Sequence, residues 1–273
     1  MTLLVRNEED IIATNLDFHY AQGVDFVIVT DNNSADHTLE ILSGYQAEGR
    51  LRLIREPDDT YAQSRWVTRM ARLAAVEHDA DWLIHCDADE FWWPDRGNLK
   101  STLAAIPWRY GLIRAPRTNF IPVDDVAARP FQRRMVVRER ESINTMGSPL
   151  PPKICHRARR RVIVDQGNHA VSGWFLRALP TPSPIGILHF PLRSYAQFEN
   201  KILKGGAAYA RNTELGPDVG ATWRGLYREL KEGRLETLYR AQVLDQATVA
   251  KGIADGGLIE DRRLESFLTA LGR

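Results

Sequence analysis

The sequence predicts an α/β protein with a mostly parallel central sheet and a helical C-terminal region. Three observations lead to this fold class. The first 95 residues alternate short apolar runs with helical patterns, an acidic pair follows the fourth apolar run, and helical patterns dominate after Ser194. A series of alternating strands and helices places its strands side by side in parallel and covers the sheet with helices.

Four strands and three helices are predicted in the first part of the chain. Continuous apolar or β-branched runs predict the strands, and apolar residues at helical spacing predict helices that stop near Gly23 and Gly49. The predicted strands are 2–5, 24–30, 51–55 and 82–85, and the predicted helices are 8–22, 36–48 and 61–78.

The second part predicts shorter strands in Pro-rich and Arg-rich surroundings, followed by helices. Gly205-Gly206 interrupts the first of these helices and indicates either a helix break or a close backbone approach to a ligand. The predicted strands are 111–120, 135–140, 153–156, 162–164 and 185–190, and the predicted helices are 195–211, 222–232, 235–244 and 264–271.

The composition is that of a globular protein with a sizeable core. The 273 residues are 44% hydrophobic and 26% charged, and 36 Lys and Arg residues stand against 35 Asp and Glu residues. This balance carries no nucleic-acid signature. The arginines are unevenly placed, with eight from Arg109 to Arg140 and a further basic group from Lys153 to Arg161. These clusters suit a solvated face, an anionic substrate or an anionic membrane surface.

The two cysteines, Cys86 and Cys155, form neither a disulfide framework nor a metal knuckle, and Cys86 is interpreted as a small core residue. The sequence has no apolar run of membrane-span length and no signal-peptide pattern at its start. We therefore expect a cytoplasmic protein without a transmembrane segment, for which peripheral membrane contact is possible.

The most informative motif is the acidic pair Asp87 and Asp89, which follows the predicted strand 82–85. Ligands bind outside the carboxyl ends of strands in open α/β sheets. Residues i and i+2 of an extended segment point to the same side, so both carboxylates can converge on Mn²⁺ or Mg²⁺ carrying a diphosphate. A solvated turn or a helix cap is the alternative. The adjacent Phe91-Trp92-Trp93 favours the metal, because like charges beside aromatic surface need compensation.

Further segments share an order and spacing with this motif. They are Val5-Arg6-Asn7-Glu8-Glu9, Gly23-Val24-Asp25, residues 30–38 and 81–91, Gly167-Asn168-His169, and residues 188–194. Together they resemble the family 2 glycosyltransferases with the GT-A fold, in particular a bacterial subgroup of family-2-like enzymes. The resemblance covers most of residues 1–210. It implies a GT-A-like catalytic domain over 1–210, with a nucleotide-binding half of about 1–95, an acceptor half of about 96–210 and a helical extension over 211–273.

The resemblance also implies a donor site. Asn7 and Glu9 would belong to the nucleotide pocket, Asp31 would contact uracil or ribose, and the Asp87/Asp89 pair would hold a metal-bound diphosphate. A carboxylate at a strand end accepts hydrogen bonds from imide N–H or hydroxyl groups, and an Asx-turn is the alternative for Asp31.

Several further residues are candidates for this donor site. Asp59 is a nucleotide candidate that equally suits a helix start, and Asp36 is interpreted as a helix cap. Lys204, Lys201 and Lys153 could each neutralise diphosphate or be exposed lysines.

The catalytic base is less clear, because the carboxylate pair that many family members carry downstream of the metal motif is missing between Trp174 and Leu188. His169 has an imidazole whose ordinary pKa suits deprotonation of a hydroxyl, and a structural role is its alternative. His189 suits either a third metal ligand or a core position. The remaining base candidates are Glu199, Asp165, Asp124 and Glu90.

We therefore predict a metal-dependent glycosyltransferase that moves a sugar from a nucleoside-diphosphate donor, with UDP-sugars favoured, to a hydroxyl of a glycan or related acceptor. The resemblance implies inversion by a single displacement. One alternative is a phosphatase of the haloacid dehalogenase type, although position 91 is Phe where that signature has Thr or Val. The other is a nucleotide-sugar-binding protein without turnover. Nucleoside-diphosphate release in a screen of nucleotide sugars would discriminate the three.

Overall fold

The computed structural model describes residues 1–58, 62–123, 129–143, 149–211 and 220–273. The chain forms two compact units. The first consists of Met1–Asp58, Ala62–Arg117 and Ile143–Leu188, and Thr118–Ser142 and His189–Arg273 belong to the second.

The first unit alternates strands with helices before a run of shorter strands. Its first seven elements are β1 (Thr2–Val5), α1 (Ile12–Ala21), β2 (Val27–Asp31), α2 (Thr38–Ala47), β3 (Leu51–Arg55), α3 (Gln63–Glu77) and β4 (Trp82–Cys86). These are followed by β5 (Glu90–Pro94), α4 (Leu99–Ala104), β6 (Leu112–Ala115), β9 (Lys153–Arg157), β10 (Ile163–Val164), β11 (Val171–Ser172) and β12 (Ile185–His189), whose last residue is assigned to the second unit. Strand β7 (Arg117–Asn119) begins at the last residue of the segment Ala62–Arg117 and has its other two residues in the second unit.

The central sheet has the strand order β3-β2-β1-β4-β9-β6. The four strands from β3 to β4 are parallel, and β9 pairs antiparallel with both β4 and β6. The predicted mixed α/β fold with a mostly parallel central sheet is therefore confirmed. The placement of β9 beside β4 is a feature that the sequence pattern did not predict.

The core of this unit lies between the sheet and the helices on it. All five residues of β2 are buried, as expected for a parallel strand covered on both faces. Helix α3 buries Trp66, Met70 and Ala74 at four-residue spacing, and Met70 and Ala74 join Ile28 and Leu83 in one hydrophobic cluster. Trp66 is 1% exposed and is thus a core residue.

The second unit is mainly helical. Its elements are α5 (Phe131–Arg134), β8 (Val137–Glu139), α6 (Tyr195–Lys201), a π-helical turn (Ile202–Gly206), α7 (Ala207–Arg211), α8 (Ala221–Lys231), α9 (Leu235–Arg240), α10 (Gln246–Ala254), β13 (Leu258–Glu260) and α11 (Arg263–Ala270). The sequence pattern did not predict α10 or β13, and β13 pairs antiparallel with β8. The division at residue 210 falls within this unit and stays a prediction.

The Gly205-Gly206 pair marks a close helix contact. A side chain at Gly205 would lie 2.6 Å from the Trp223 ring, and one at Gly206 would lie 2.7 Å from Tyr227 Cβ. Both partners belong to α8. Of the two meanings that the sequence left open, the glycines therefore act as a π-helical interruption that lets α8 approach.

Among the described residues, no helix combines the length and the apolar character needed to cross a membrane.

Candidate functional site

The candidate site begins at the edge of the sheet where β2, β1 and β4 end. The register pairs Val5 with Asp31 and Leu3 with Cys86, so the loops that follow these parallel strands leave the sheet at the same edge. This edge is where ligands bind in open α/β sheets.

Asp31 is the last residue of β2 and is only 4% exposed. Its Oδ2 accepts a hydrogen bond from the Ser34 backbone N–H at 3.2 Å, whereas its buried Oδ1 has no hydrogen-bond donor among the described residues. The buried Oδ1 of the neighbouring Asn32 also has no hydrogen-bond donor among the described residues, and Asn32 Nδ2 donates to Glu56 O at 3.0 Å. Two buried acceptor oxygens on consecutive residues thus have no donor within the described part of the chain, which is costly unless a ligand supplies one.

Asn7 and Glu9 hold the loops after β1 and β2 together. Asn7 Oδ1 accepts from the Ala35 backbone N–H at 2.7 Å, and Asn7 has a positive φ of 55°. Glu9 Oε2 accepts from the His37 backbone N–H at 2.9 Å and contacts His37 Nδ1 at 2.7 Å. Both residues therefore stabilise the loop beside Asp31. Asp36 Oδ1 accepts from the Thr38 backbone N–H at 3.0 Å, but the N-cap residue of α2 is His37, one position after the predicted cap.

The acidic pair lies in a turn, not in the extended segment that the sequence analysis expected. The Glu90 backbone N–H donates to Asp87 O at 3.1 Å, and β5 begins at Glu90. The expectation that Asp87 and Asp89 are alternate residues of an extended segment is therefore wrong, and their joint binding of a cation stays a prediction. The chain reverses here because β5 leaves the central sheet and pairs with β12.

Asn15 on α1 holds this turn in place through two hydrogen bonds. It is fully buried, and its Nδ2 donates to Ala88 O at 3.0 Å and to Glu90 O at 2.9 Å. One turn later on the same helix, His19 Nδ1 binds Asn15 O at 2.8 Å. A buried amide that satisfies two turn carbonyls determines the position of the acidic side chains, so Asn15 is a positioning residue that the sequence analysis missed.

A buried charge cluster surrounds Asp87. Lys153, the first residue of β9, is 2% exposed and forms an ion pair with Asp87 Oδ2, and its Nζ lies 3.3 Å from Glu90 Oε1. Arg117 Nη1 lies 3.7 Å from the same Glu90 oxygen. Glu90 Oε2 accepts from the Asp87 backbone N–H at 3.2 Å.

The cluster shifts the titration of its members. Burial raises the pKa of Glu90 to about 7, against the opposing effect of Lys153. Burial alone would lower the pKa of Lys153, but the Asp87 and Glu90 carboxylates outweigh it and the pKa of Lys153 is raised. Lys153 is therefore a permanent cation at this edge of the sheet.

The segment Gly167-Asn168-His169 brings a second group to Asp87. Gly167 and Asn168 both have positive φ, 81° and 59°, and this turn presents Asn168 Nδ2 to Asp87 Oδ1 at 3.2 Å. Asn168 is 1% exposed, and its Oδ1 has no partner among the described residues. Asn168, not only the histidine beside it, therefore belongs to the candidate site.

His169 is half-buried next to this group. Its Nδ1 lies 2.9 Å from Pro152 O, which can only accept, so Nδ1 carries the proton and Nε2 keeps a lone pair. Burial and the nearby Lys153 charge lower the pKa of His169 to about 4. The imidazole is thus neutral at physiological pH, and it is a weaker base than an ordinary histidine.

The family of the chain follows from its sequence. The model of glycosyltransferase family 92 matches residues 1–171, a span that holds Asp31, Glu90, Lys153 and Asn168. The chain belongs to glycosyltransferase family 92. This family 92 assignment confirms the predicted glycosyltransferase class, whereas the narrower resemblance to family 2 stays a prediction.

Solved structures also match parts of the chain at low sequence identity. For residues 1–349 of S. aureus TarS, the TM-score is 0.40 and the identity is 16%. The match covers 74% of the family 92 chain and 64% of the other chain. For the TarS complex with UDP-GlcNAc, the TM-score is 0.42 and the identity is 12%, and the match covers 84% of the family 92 chain and 70% of the other chain. For glucosyl-3-phosphoglycerate synthase from Mycobacterium tuberculosis in complex with Mn²⁺, UDP and glucosyl-3-phosphoglycerate, it is 0.29 at 21% identity, over 42% of each chain. The family 92 chain thus spans 64% of the first of these proteins. No curated protein matches its sequence.

The remaining predicted site residues of the family 92 protein have other contacts. Asp165 follows β10 and its side chain is exposed. In the second unit, His189 Nδ1 lies 2.8 Å from Asn119 Oδ1, and Glu199 Oε1 accepts from Tyr195 Oη at 2.9 Å. Lys204 lies in the π-helical turn. Asp59 and Asp124 lie outside the described residues.

The carboxylates at this edge of the sheet supply only some of the ligands that a divalent cation needs. Within the described part of the chain, no group of three or more His, Cys, Asp or Glu side chains is arranged to hold a metal ion. Both Asp87 oxygens already contact Lys153 and Asn168. A cation that arrives with phosphates needs only one or two protein carboxylates, and the charge of the buried Asp89 suits that role.

Proposed function

We propose that this protein transfers a sugar from a nucleoside-diphosphate donor, with UDP-sugars favoured, to a hydroxyl of a glycan or related acceptor. The observation that carries this proposal is the buried Asp31 Oδ1, an acceptor without a described donor at the ligand-binding edge of the sheet. Uracil offers an imide N–H and ribose offers hydroxyl groups, and either would satisfy this carboxylate. The Asn7 and Glu9 contacts that fix the adjoining loops pre-organise the pocket.

The diphosphate would lie next to the Asp87–Glu90 turn. Three carboxyl groups, on Asp87, Asp89 and Glu90, lie within four consecutive residues of this turn. A diphosphate beside carboxylates is stabilised by a divalent cation that binds both. The acidic turn therefore supports the use of Mn²⁺ or Mg²⁺, with Asp89 as the protein ligand.

Such a cation would offset the negative charge that develops on the leaving diphosphate. Lys153 supplies a second, fixed positive charge, since the Asp87 and Glu90 carboxylates hold it in place. Asn168 and Asn15 keep Asp87 and the turn in position through the contacts described above.

The acceptor hydroxyl requires a base, and accessibility favours His169 over Glu90. Glu90 has the more suitable pKa, about 7, but its side chain is fully buried and engaged with Lys153. His169 is only half-buried and keeps a lone pair on Nε2. Because a base must first reach the proton that it removes, we propose His169 in this role and inversion by a single displacement.

The test is a donor screen with the full chain. UDP-, GDP- and dTDP-sugars are incubated with Mn²⁺, with Mg²⁺ or with a chelator, and release of the nucleoside diphosphate is measured. We expect release from a UDP-sugar that depends on the cation. A phosphatase would release inorganic phosphate from a phosphomonoester instead, and a binding protein would show donor affinity without turnover. Either result contradicts the proposal.

Asp89→Asn tests the cation separately. The amide keeps the shape of the side chain and removes its charge, so donor affinity should lose its dependence on Mn²⁺ while the thermal melt stays unchanged. Asp81→Asn, which neutralises an exposed acid before β4, is the matched control and should retain this dependence. Metal-dependent affinity that survives in Asp89→Asn would remove Asp89 as the ligand.

A further inference from the structure

Three loops of the first unit meet at the opposite end of β4 from Asp87. They are residues 107–111, 158–161 and 173–177, and together we call them the aromatic–arginine surface. Strand β9 runs antiparallel to β4 and pairs Arg157 with Trp82, so the loop after β9 lies at the amino end of β4. Asp87 follows the carboxyl end of the same strand.

The loops are in direct contact. The Gly111 backbone N–H donates to Arg177 O at 2.8 Å, and a side chain at Gly111 would lie 2.7 Å from Phe175 O. A side chain at Gly173 would lie 3.1 Å from Val162 Cγ1 and 3.5 Å from Arg161 O. Glycine at both positions therefore permits the close packing that joins the three loops into one surface.

The half-buried Arg157 supports this surface. Arg157 Nε donates to Tyr110 O at 3.1 Å, and its Nη2 donates to Ile106 O at 3.0 Å. Its guanidinium also lies 4.7 Å from the centre of the Trp82 ring. These contacts tie residues 106–110 to the end of β9, so the loop that carries Trp108 is held by the sheet.

Three large aromatic side chains of the aromatic–arginine surface project into solvent. Trp108 is 85% exposed, and Trp174 and Phe175 are each 81% exposed. Phe175 has a positive φ of 62°, which is unfavourable for a bulky residue and turns the backbone at the tip of its loop. Aromatic side chains that stand in water at loop tips are typical of binding surfaces, and Trp in particular is enriched at membrane–water interfaces.

Five exposed arginines surround the aromatics, and residues 107–111, 158–161 and 173–177 contain no acid. The five are Arg109, Arg159, Arg160, Arg161 and Arg177. Asp81 contacts this surface through its backbone carbonyl, which accepts from the Ala158 backbone N–H at 2.9 Å. Although the whole chain is almost neutral, this surface therefore carries a local positive charge.

We propose that the aromatic–arginine surface docks this protein on an anionic lipid membrane. The arginines provide charge complementarity to anionic headgroups, and the aromatic tips enter the interfacial layer. A single-stranded nucleic acid fits less well, because the Trp174 and Phe175 rings are inclined at 69° and offer no parallel faces for successive bases. The inference is independent of sugar transfer, since the surface and Asp87 lie at opposite ends of β4.

The test uses the full chain in vesicle co-sedimentation. Vesicles of phosphatidylcholine alone are compared with vesicles of phosphatidylcholine and phosphatidylglycerol at low and high salt. We expect binding to the anionic vesicles that weakens with salt, and little binding to the neutral ones. Equal binding to both vesicle types, or no binding to either, would overturn the proposal. The proposal would also be overturned if a substoichiometric amount of a single-stranded oligonucleotide prevented co-sedimentation of the protein with the vesicles. That result would identify a nucleic-acid surface.

Two variants assign the binding to this surface. Trp174→Ser with Phe175→Ser removes two aromatic tips, and Arg160→Glu with Arg161→Glu reverses the charge, and each pair should weaken vesicle binding about 10-fold or more. Ile253→Ser and Arg65→Glu change an exposed apolar residue and an exposed arginine elsewhere and are the matched controls. All four substituted positions of the surface are exposed, so folding should be retained and is checked by thermal melts. Wild-type vesicle binding in both surface variants would overturn the proposal.

Discussion

Lys153 Nζ lies 3.3 Å from Glu90 Oε1, and both side chains are buried at the edge of the sheet where Asp87 also binds the lysine. A buried lysine is tolerated because two carboxylates compensate its charge, and the carboxylates in turn depend on the lysine. The three residues therefore act as one electrostatic unit. This interdependence determines both the stability of the edge and the charge that a donor diphosphate would meet.

Removal of the cation should destabilise the protein strongly. Lys153→Met removes the ion pair of the half-buried Asp87 and leaves the buried Glu90 with the Arg117 guanidinium at 3.7 Å as its described cation, so the free energy of unfolding should fall by about 3–5 kcal/mol. Lys100→Met is the matched control, because Lys100 pairs with Asp25 at an exposed position, and its loss should cost less than about 1 kcal/mol. Urea denaturation measures both. Similar losses in the two variants would contradict a buried electrostatic unit. The double variant Lys153→Met/Glu90→Gln should recover part of the lost stability, because it also removes one of the carboxylates that have lost the lysine.

The nucleotide contact of Asp31 is tested by an isosteric change. Asp31→Asn retains the shape of the side chain but removes a charged acceptor, so the affinity for UDP should fall about 10- to 100-fold. Calorimetry with UDP, in the presence and absence of Mn²⁺, measures the change. Asp25→Asn neutralises an exposed acid shortly before β2 and should bind UDP like the wild type. If both variants bind UDP equally well, Asp31 does not contact the nucleotide.

The role of His169 is tested by kinetics and by pH. His169→Ala should lower kcat by about 100-fold or more with little change in donor affinity, because a general base acts in the transition state. Since burial lowers the pKa of His169 to about 4, its lone pair is available throughout neutral pH, and kcat/KM should stay level from pH 8 down to about pH 5.5. An acid limb with its midpoint near pH 7 would instead point to Glu90, whose pKa is raised to about 7 by burial.

Buried histidines should make the fold sensitive to acid. Burial lowers the pKa of His19 to about 3 and of His156 to about 4, and it lowers the pKa of His85 well below its ordinary value. Below about pH 6.5 the unfolded chain binds protons at these positions and the folded chain does not, so stability is lost as pH falls from about 6.5 towards 4. The slope should approach about 1.4 kcal/mol per pH unit for each histidine.

Urea denaturation at several pH values between 7.5 and 5 measures this slope. His156→Gln should reduce it, because one buried titrating group is removed. His78→Gln, which changes an exposed histidine, should leave it unchanged. A wild-type stability that does not vary over this range would contradict neutral buried histidines in the folded state.

Much of the first unit could be predicted from local pattern. The bounds of β1 and β3 agree with the predicted strands 2–5 and 51–55, and α3 covers 63–77 of the predicted 61–78. Such elements follow from the spacing of apolar residues over one or two turns or one strand, which is written in consecutive residues. The same reasoning singled out Asp87 and Asp89, which follow the end of a buried strand, whereas the role of Asp31 was implied by the family resemblance.

The composition of the site depended on tertiary structure. Lys153 was recognised only as one of several lysines, because nothing in its neighbourhood indicates that β9 pairs antiparallel with β4 and brings it to Asp87, 66 residues away. Asn168 and Asn15 were missed for the same reason, since their partners lie 81 and 73 residues away. The sequence by itself determined the order of strands and helices and the acidic strand ends. The tertiary structure decided which buried groups meet there, because long-range pairing and register set those contacts and no local periodicity encodes them.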